Sequence, residues 1–154
     1  MKKRAVITLS WLLVIACMMT IFLLSSQTGE NSAELSDTVM GPVGRLITFL
    51  FGEEGHNIFR KFAHFFEFAG LSFLLYNAFF QTKKSKKMSP YIPFFTSVIY
   101  AVSDEVHQLF VDGRACRIFD IGVDTLGIVT GLAVFYCIVK CIEKLKKIKI
   151  HECA

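Results

Sequence analysis

The residues of this 154-residue chain that are best suited to chemistry are five carboxylates and two histidines spaced at helical intervals. A histidine and a carboxylate three residues apart face the same side of a helix, as in the pairs His64/Glu67 and Asp104/His107. Helical metal sites use this spacing, and a divalent ion held there can activate water. The candidate catalytic residues are His64, Glu67, Asp104, Glu105, His107, Asp120 and Asp124, and the candidate metal ligands are His64, His107 and Asp120.

A wider polar set around these residues has the side chains needed to bind a charged ligand. Arg60 lies four residues before His64 and on the same helical face. Arg114 lies in the short segment 111–117, which is predicted to be a turn, and arginine offers a phosphate or carboxylate two hydrogen bonds. The predicted ligand-binding set is Ser26, Gln27, Arg60, Lys61, His64, Glu67, Asp104, Glu105, His107, Gln108, Arg114, Asp120 and Asp124.

The elements that must position these residues are long apolar stretches. Hydrophobic residues make up 53% of the chain and charged residues 19%, which disfavours a soluble enzyme, a disordered chain and a collagen-like chain. Only helices or closed barrels satisfy the backbone in lipid, and stretches this long are helices. The sequence predicts an all-α, multi-pass membrane protein with four transmembrane helices in a bundle, at Ala5–Leu24, Phe62–Phe80, Ile92–Phe110 and Ile118–Ile138.

The basic residues predict the orientation of the four spans. Of the 17 lysines and arginines, 12 lie before the first span, between the second and third, or after the fourth. By the positive-inside rule, both termini and the lysine loop between the second and third spans are cytoplasmic, while residues 25–61 and 111–117 face outward. We interpret the lysines as anchors at anionic headgroups, so no nucleic-acid partner is expected.

Three further features complete the predicted organisation. A signal peptide is the alternative for the first span, but its apolar run is about twice the usual length and no small-x-small cleavage site follows. The short apolar segment 43–51 is predicted to be an interfacial or re-entrant helix, because it cannot cross a bilayer. Residues 1–154 form a single domain, with 140–154 as a basic cytoplasmic tail, and five cysteines suggest no disulfide framework.

Comparing depths along antiparallel helices predicts two polar layers near the outer side. The deeper layer holds Glu67, Asp104 and Asp124, and the shallower one holds His64, His107, Gln108 and Asp120, with Ser25–Gln27 at about the same level. Gly127 and Gly131 continue the Asp120/Asp124 face as a small-residue surface for close helix packing. Charges in a membrane helix need partners, so these residues either join helices as buried polar contacts or form an outward-facing pocket, which we favour.

The same residues carry a resemblance to the VanZ-like family of small bacterial membrane proteins, over about residues 8–135. The matching strings are Leu24-Ser25-Ser26-Gln27, Arg60-Lys61-Phe62-Ala63-His64-Phe65-Phe66-Glu67-Phe68, Ser103-Asp104-Glu105-Val106-His107-Gln108-Leu109-Phe110-Val111, Gly113-Arg114 and Asp120-x-x-x-Asp124-x-x-Gly127. Asp112 stands where the family pattern usually has proline, and Arg117 where a small or hydroxylated residue is expected. These departures change the charge of the pocket mouth rather than the pocket itself.

The resemblance implies a protein of the bacterial cell membrane, and the family is named for a protein associated with low-level resistance to the glycopeptide teicoplanin. The expected partners are the bilayer and an outer-leaflet lipid, a lipid-linked cell-wall precursor or an amphiphilic drug, with no established cofactor. Two alternatives stay open. One is a hydrolase or transferase that uses a divalent metal on a lipid headgroup. The other is a transporter with Glu67, Asp104 and Asp124 as a proton relay. Ligand identity and oligomeric state are open as well.

Overall fold

A computed structural model describes residues 2–28, 41, 54–83, 89–112 and 118–152 of the chain. Within these residues it consists of four helices and has no strand: α1 at Lys2–Ser25, α2 at Glu54–Thr82, α3 at Tyr91–Gln108 and α4 at Ile118–Glu152. The all-helical prediction and the four helices are confirmed. The predicted helix at 43–51 and Arg114 lie outside the described residues.

Two helices are longer than the apolar stretches that predicted them. α2 begins at Glu54, eight residues before Phe62, and α4 continues to Glu152 instead of ending near Ile138. Apolar composition marks the part of a helix that lipid can solvate, whereas lysine and glutamate also favour helix and extend it past that part. Segments Lys2–Ser25 and Phe119–Ile148 are each long and apolar enough to cross a membrane. The crossing of all four helices stays a prediction.

α2 is the central helix, in contact with the other three, and its most extensive partner is α4. Phe68, Leu71 and Ala78 of α2 are completely buried and pack in a core with Ile21 of α1 and Ile128 of α4. The outward faces are apolar too, since large side chains are more than half exposed on α1 and α3, among them Leu9, Leu12, Leu23, Phe95 and Ile99. A bilayer solvates such a surface, while water does not.

Two glycines set the close approach of α4 to α2. A Cβ atom at Gly127 would collide with the backbone carbonyl of Phe65, and one at Gly131 with the carbonyl of Ala69 and the hydroxyl of Ser72. The Ser72 hydroxyl also donates a hydrogen bond to the Ile128 carbonyl across the junction, at 3.0 Å. The predicted small-residue packing surface is therefore confirmed, and it holds the polar start of α4 against α2.

Polar contacts join α1 to the rest of the bundle along its length. The Tyr100 hydroxyl of α3 donates to the Met18 carbonyl at 2.6 Å, and the Trp11 indole donates to the Thr82 hydroxyl of α2 at 3.0 Å. The Asn77 amide of α2 lies 3.3 Å from the Ser10 hydroxyl. These contacts fix the position of the carboxyl-terminal end of α1, which carries Ser25 and Ser26.

Candidate functional site

The predicted site residues that the structure describes meet at one end of the bundle, where α1 and α3 end and where α2 and α4 have their amino-terminal halves. They divide into two neighbouring groups. The Asp104 cluster joins α1 to α3 and consists of Ser25, Ser26, Asp104, His107 and Gln108. The Asp124 cluster joins α2 to α4 and consists of Lys61, His64, Asp120 and Asp124.

Asp104 is held by neutral hydrogen-bond donors. Its Oδ2 accepts one bond from the Ser25 hydroxyl and one from the Gln108 amide, each at 3.0 Å. The carboxylate is 4% exposed, and its other oxygen, Oδ1, is buried without a hydrogen-bond partner among the described residues. A buried carboxylate with an unsatisfied oxygen is costly, because burial removes the water that would otherwise bind it.

Ser26 and His107 form the outer edge of the Asp104 cluster. Ser26 Oγ lies 3.0 Å from His107 Nε2 and 2.6 Å from the Phe22 carbonyl, to which it donates its single proton. The serine therefore accepts a hydrogen bond from His107 Nε2–H in this arrangement. The Phe22 ring stacks on the imidazole with 4.7 Å between ring centroids. These contacts orient His107 toward α1.

The Asp124 cluster contains charged partners instead of neutral ones. Lys61 Nζ lies 3.4 Å from Asp120 Oδ1 and 4.4 Å from the centre of the Phe119 ring. His64 Nδ1 faces Asp124 Oδ1 at 3.6 Å, which is longer than a hydrogen bond. Both of these atoms are buried without a hydrogen-bond partner among the described residues, and the Asp124 side chain is 1% exposed.

A small cavity separates the charged side chains. It leaves about 10 Å³ for the centre of a water-sized sphere, which is room for about one water molecule. Its lining consists of Arg60, Lys61, His64, Glu105, Gln108, Asp120, Val123 and Asp124. Gln108 lines the cavity and also binds Asp104, so it connects the two clusters. Glu105, placed beside the polar face by its spacing, lies on the cavity wall and is 2% exposed.

The candidate metal ligands have separate partners. His64 faces Asp124, Asp120 pairs with Lys61, and His107 contacts Ser26. In the part of the chain that the structure describes, no three histidine, cysteine or acidic side chains are grouped so that they could hold a metal ion. The divalent metal therefore stays a prediction without a grouped ligand set to support it.

Two further predicted residues, Glu67 and Gln27, make contacts within the described part of the structure. Glu67 lies close enough to His64 to interact with it electrostatically and makes further contacts. Gln27 is half-buried beside Ser26 and also makes contacts. Sequence reasoning left Ser25 out of the binding set, although it donates to Asp104, and it missed the rings of Phe22 and Phe119. The signal for both rings was their spacing, four residues before Ser26 and one before Asp120.

Comparison with known proteins places this arrangement in a family. A family model described as VanZ/LLP1 matches residues 10–140, which contain every member of the two clusters. Neither a curated protein nor a solved structure matches the chain. The match covers well over half of the chain and supports a membrane protein.

Proposed function

The chain belongs to the VanZ/LLP1 family, and from that premise we propose that it is a multi-pass protein of the bacterial cytoplasmic membrane whose polar pocket binds a lipid headgroup or an amphiphile. In this proposal the pocket faces outward, its ligand comes from the outer leaflet, and binding lowers susceptibility to teicoplanin-type glycopeptides. Such drugs act at the outer face on lipid-linked cell-wall precursors, so a pocket there can bind either the drug or the lipids around its target.

The observation that carries this proposal is the pair of buried aspartates with unpartnered oxygens. Asp104 and Asp124 are 4% and 1% exposed, and in each the Oδ1 atom lacks a hydrogen bond among the described residues. They lie on either side of the cavity wall that Gln108 forms. Buried polar groups without partners are uncommon in folded proteins, and a bound ligand supplies the missing donors.

Polar contacts that only join helices look different elsewhere in this bundle. The hydroxyls of Tyr100 and Ser72 each donate to a backbone carbonyl of another helix, and the Trp11 indole donates to Thr82. In each of these contacts a neutral donor has found its acceptor. Asp124 instead keeps an open acceptor on the wall of a cavity, which supports binding over simple helix adhesion.

The basic residues Arg60 and Lys61 support an acidic or phosphate-bearing ligand group. Both line the cavity from the first half of α2, and Lys61 is 30% exposed. The separate partners of His64, His107 and Asp120 favour binding over metal-assisted hydrolysis. The positive-inside rule, applied to the lysines of the sequence, supports an outward opening.

The proposal is tested by glycopeptide susceptibility in a Gram-positive host that expresses the full chain. We expect the wild type to raise the minimal inhibitory concentration of teicoplanin, and Asp104→Asn and Glu67→Gln to lose that effect, since both substitutions keep shape and remove a charge. Glu143→Gln is the control, because Glu143 pairs with Lys140 on the exposed face of α4, far along the chain from the site. Wild-type resistance in both site variants at normal expression would contradict the proposal.

A further inference from the structure

We propose that the pocket recognises a primary ammonium group attached to a phosphate, as in the headgroup of an ethanolamine phospholipid; this inference rests on the proposed function and names its ligand class. In this assignment the ammonium enters the cavity and binds Asp124 on its wall. The phosphate stays at the rim, where it binds Arg60 and Lys61.

The first argument is the order in which an entering ligand meets the charges of the site. Three acidic residues, Glu105, Asp104 and Asp124, are at most 4% exposed, and Asp120 beside Lys61 is 19% exposed. Lys61, at 30% exposure, is more open than all four of these acidic residues. A ligand that enters from the rim therefore passes positive charge first and meets negative charge deeper. A headgroup with a phosphate followed by a terminal amine presents the complementary order.

The open acceptors are the second argument. Asp124 Oδ1 and Asp104 Oδ1 are buried acceptors that lack hydrogen bonds within the described residues. His64 Nδ1 of α2 lies 3.6 Å from Asp124 Oδ1, which is longer than a hydrogen bond. An ammonium has three N–H donors and no acceptor, so it can bind Asp124 and the neighbouring cavity wall together. Hydrogen bonds between charged groups of this kind are about twice as strong as neutral ones.

The size of the cavity is the third argument, and it separates two common headgroups. Room for about one water molecule suits an ammonium, which is a compact charge, but does not suit a trimethylated nitrogen. Proteins bind quaternary ammonium groups on aromatic faces, whereas the residues on this cavity wall are polar or charged apart from Val123. The geometry therefore favours ethanolamine over choline.

The phosphate part of the inference rests on Arg60 and Lys61. Arginine binds phosphate through two parallel hydrogen bonds, and lysine adds a second positive charge. Lys61 is paired with Asp120 at 3.4 Å, and its ammonium has three N–H donors, so it can contact a phosphate while it keeps this pair. An anionic headgroup without an amine would bind Arg60 and Lys61 alone and leave Asp124 Oδ1 without a hydrogen bond.

The test uses the purified full chain and native mass spectrometry with an equal mixture of phosphatidylethanolamine, phosphatidylcholine and phosphatidylglycerol that share the same acyl chains. We expect the wild type to retain phosphatidylethanolamine about tenfold more than either other lipid, which corresponds to one charge-assisted hydrogen bond. Asp124→Asn should reduce that preference to less than about twofold. Asp104→Asn is the second variant, in case Asp124→Asn does not fold, and Glu143→Gln should keep the wild-type preference.

Soluble phosphoethanolamine distinguishes the source of the group. If phosphoethanolamine displaces the retained lipid, the free headgroup is sufficient for recognition. If it does not and the preference for phosphatidylethanolamine persists, the intact lipid is the ligand. Both results support the inference. Equal retention of the three lipids, a preference for phosphatidylglycerol, or binding that needs an added divalent ion would overturn it. If the wild type retains the three lipids equally and Asp124→Asn retains none of them, lipid binding by the pocket stands but the preference for ethanolamine does not. If the wild type retains no more lipid than an unrelated membrane protein does, both the proposed function and this inference are wrong.

Discussion

The Asp104 and Asp124 clusters each contain a buried aspartate at the same end of the bundle, but the two aspartates have different partners. Asp104 Oδ2 accepts two bonds of 3.0 Å from Ser25 and Gln108, both neutral donors. Asp124 faces His64 at 3.6 Å without a hydrogen bond between these atoms. Neutral hydrogen bonds join α1 to α3 at this end of the bundle, while α2 and α4 are joined there by charged side chains at 3.4 and 3.6 Å. The comparison indicates that the Asp104 carboxylate is held by neutral donors, while the Asp124 carboxylate keeps an acceptor that a ligand can use.

The largest expected effect concerns the side of the membrane toward which the two clusters open. In a chain whose native cysteines are replaced by serine, a cysteine at Asp112 should react with a membrane-impermeant maleimide on intact cells. A cysteine at Lys86, in the lysine loop, should react only after the membrane is opened. Mass-tag labelling on gels measures both. Labelling of the Lys86 position on intact cells would overturn the predicted topology and the outward opening of both clusters.

The next largest effect should come from the α2–α4 junction that supports the Asp124 cluster. Gly131→Ala places a methyl group against the Ala69 carbonyl and the Ser72 hydroxyl, so we expect it to destabilise the fold by about 2–3 kcal/mol. Gly122→Ala is the matched control on the same helix, since nothing lies within 4 Å of its added methyl. It should be neutral or stabilising by up to about 1 kcal/mol. Thermal unfolding in detergent compares the two, and equal unfolding temperatures would contradict the close packing.

A smaller effect should separate the two adjacent serines of the Asp104 cluster. Ser25→Ala removes one of the two donors to a buried carboxylate and should cost about 1–2 kcal/mol. Ser26→Ala removes an exposed hydroxyl that also bonds within its own helix, so it should change stability by less than about 0.5 kcal/mol. The same unfolding assay measures this difference. A larger loss of stability in Ser26→Ala than in Ser25→Ala would mean that α1 is held to α3 mainly through His107 rather than through Asp104.

The sequence predicted the helices and the end of the bundle at which the polar residues meet, because apolar length and helical spacing determine both. It placed Asp104, Gln108, Asp120 and Asp124 near one another for the same reason. It did not predict which side chain pairs with which. Pairing depends on the rotation of each helix about its own axis, and the contacts at Gly127 and Gly131 help to set that rotation for α4.

The depth layers illustrate the limit of the sequence argument. Depth along a helix put Asp104 and Asp124 in one layer and His64 and Gln108 in another. The contacts in the structure cross these layers, from Gln108 to Asp104 and from His64 to Asp124. Each crossing pair lies within reach because long side chains extend along the helix beyond their own Cα positions. The start of α2 was missed because six of its first eight residues are polar, charged or glycine, and the end of α4 because lysines interrupt its apolar residues after Ile138.

The most direct test of the binding pocket is the thermal unfolding of wild type and Asp124→Asn in detergent, each with and without added phosphatidylethanolamine. A ligand that binds only the folded protein raises its unfolding temperature, and the increase grows with the ligand concentration relative to its dissociation constant. We expect the lipid to raise the unfolding temperature of the wild type and of Glu143→Gln. Asp124→Asn should unfold near the wild-type temperature without lipid, and the lipid should not raise that temperature. A variant that unfolds much earlier without lipid, yet is stabilised by it as much as the wild type, would show that Asp124 only joins the helices and would contradict the pocket.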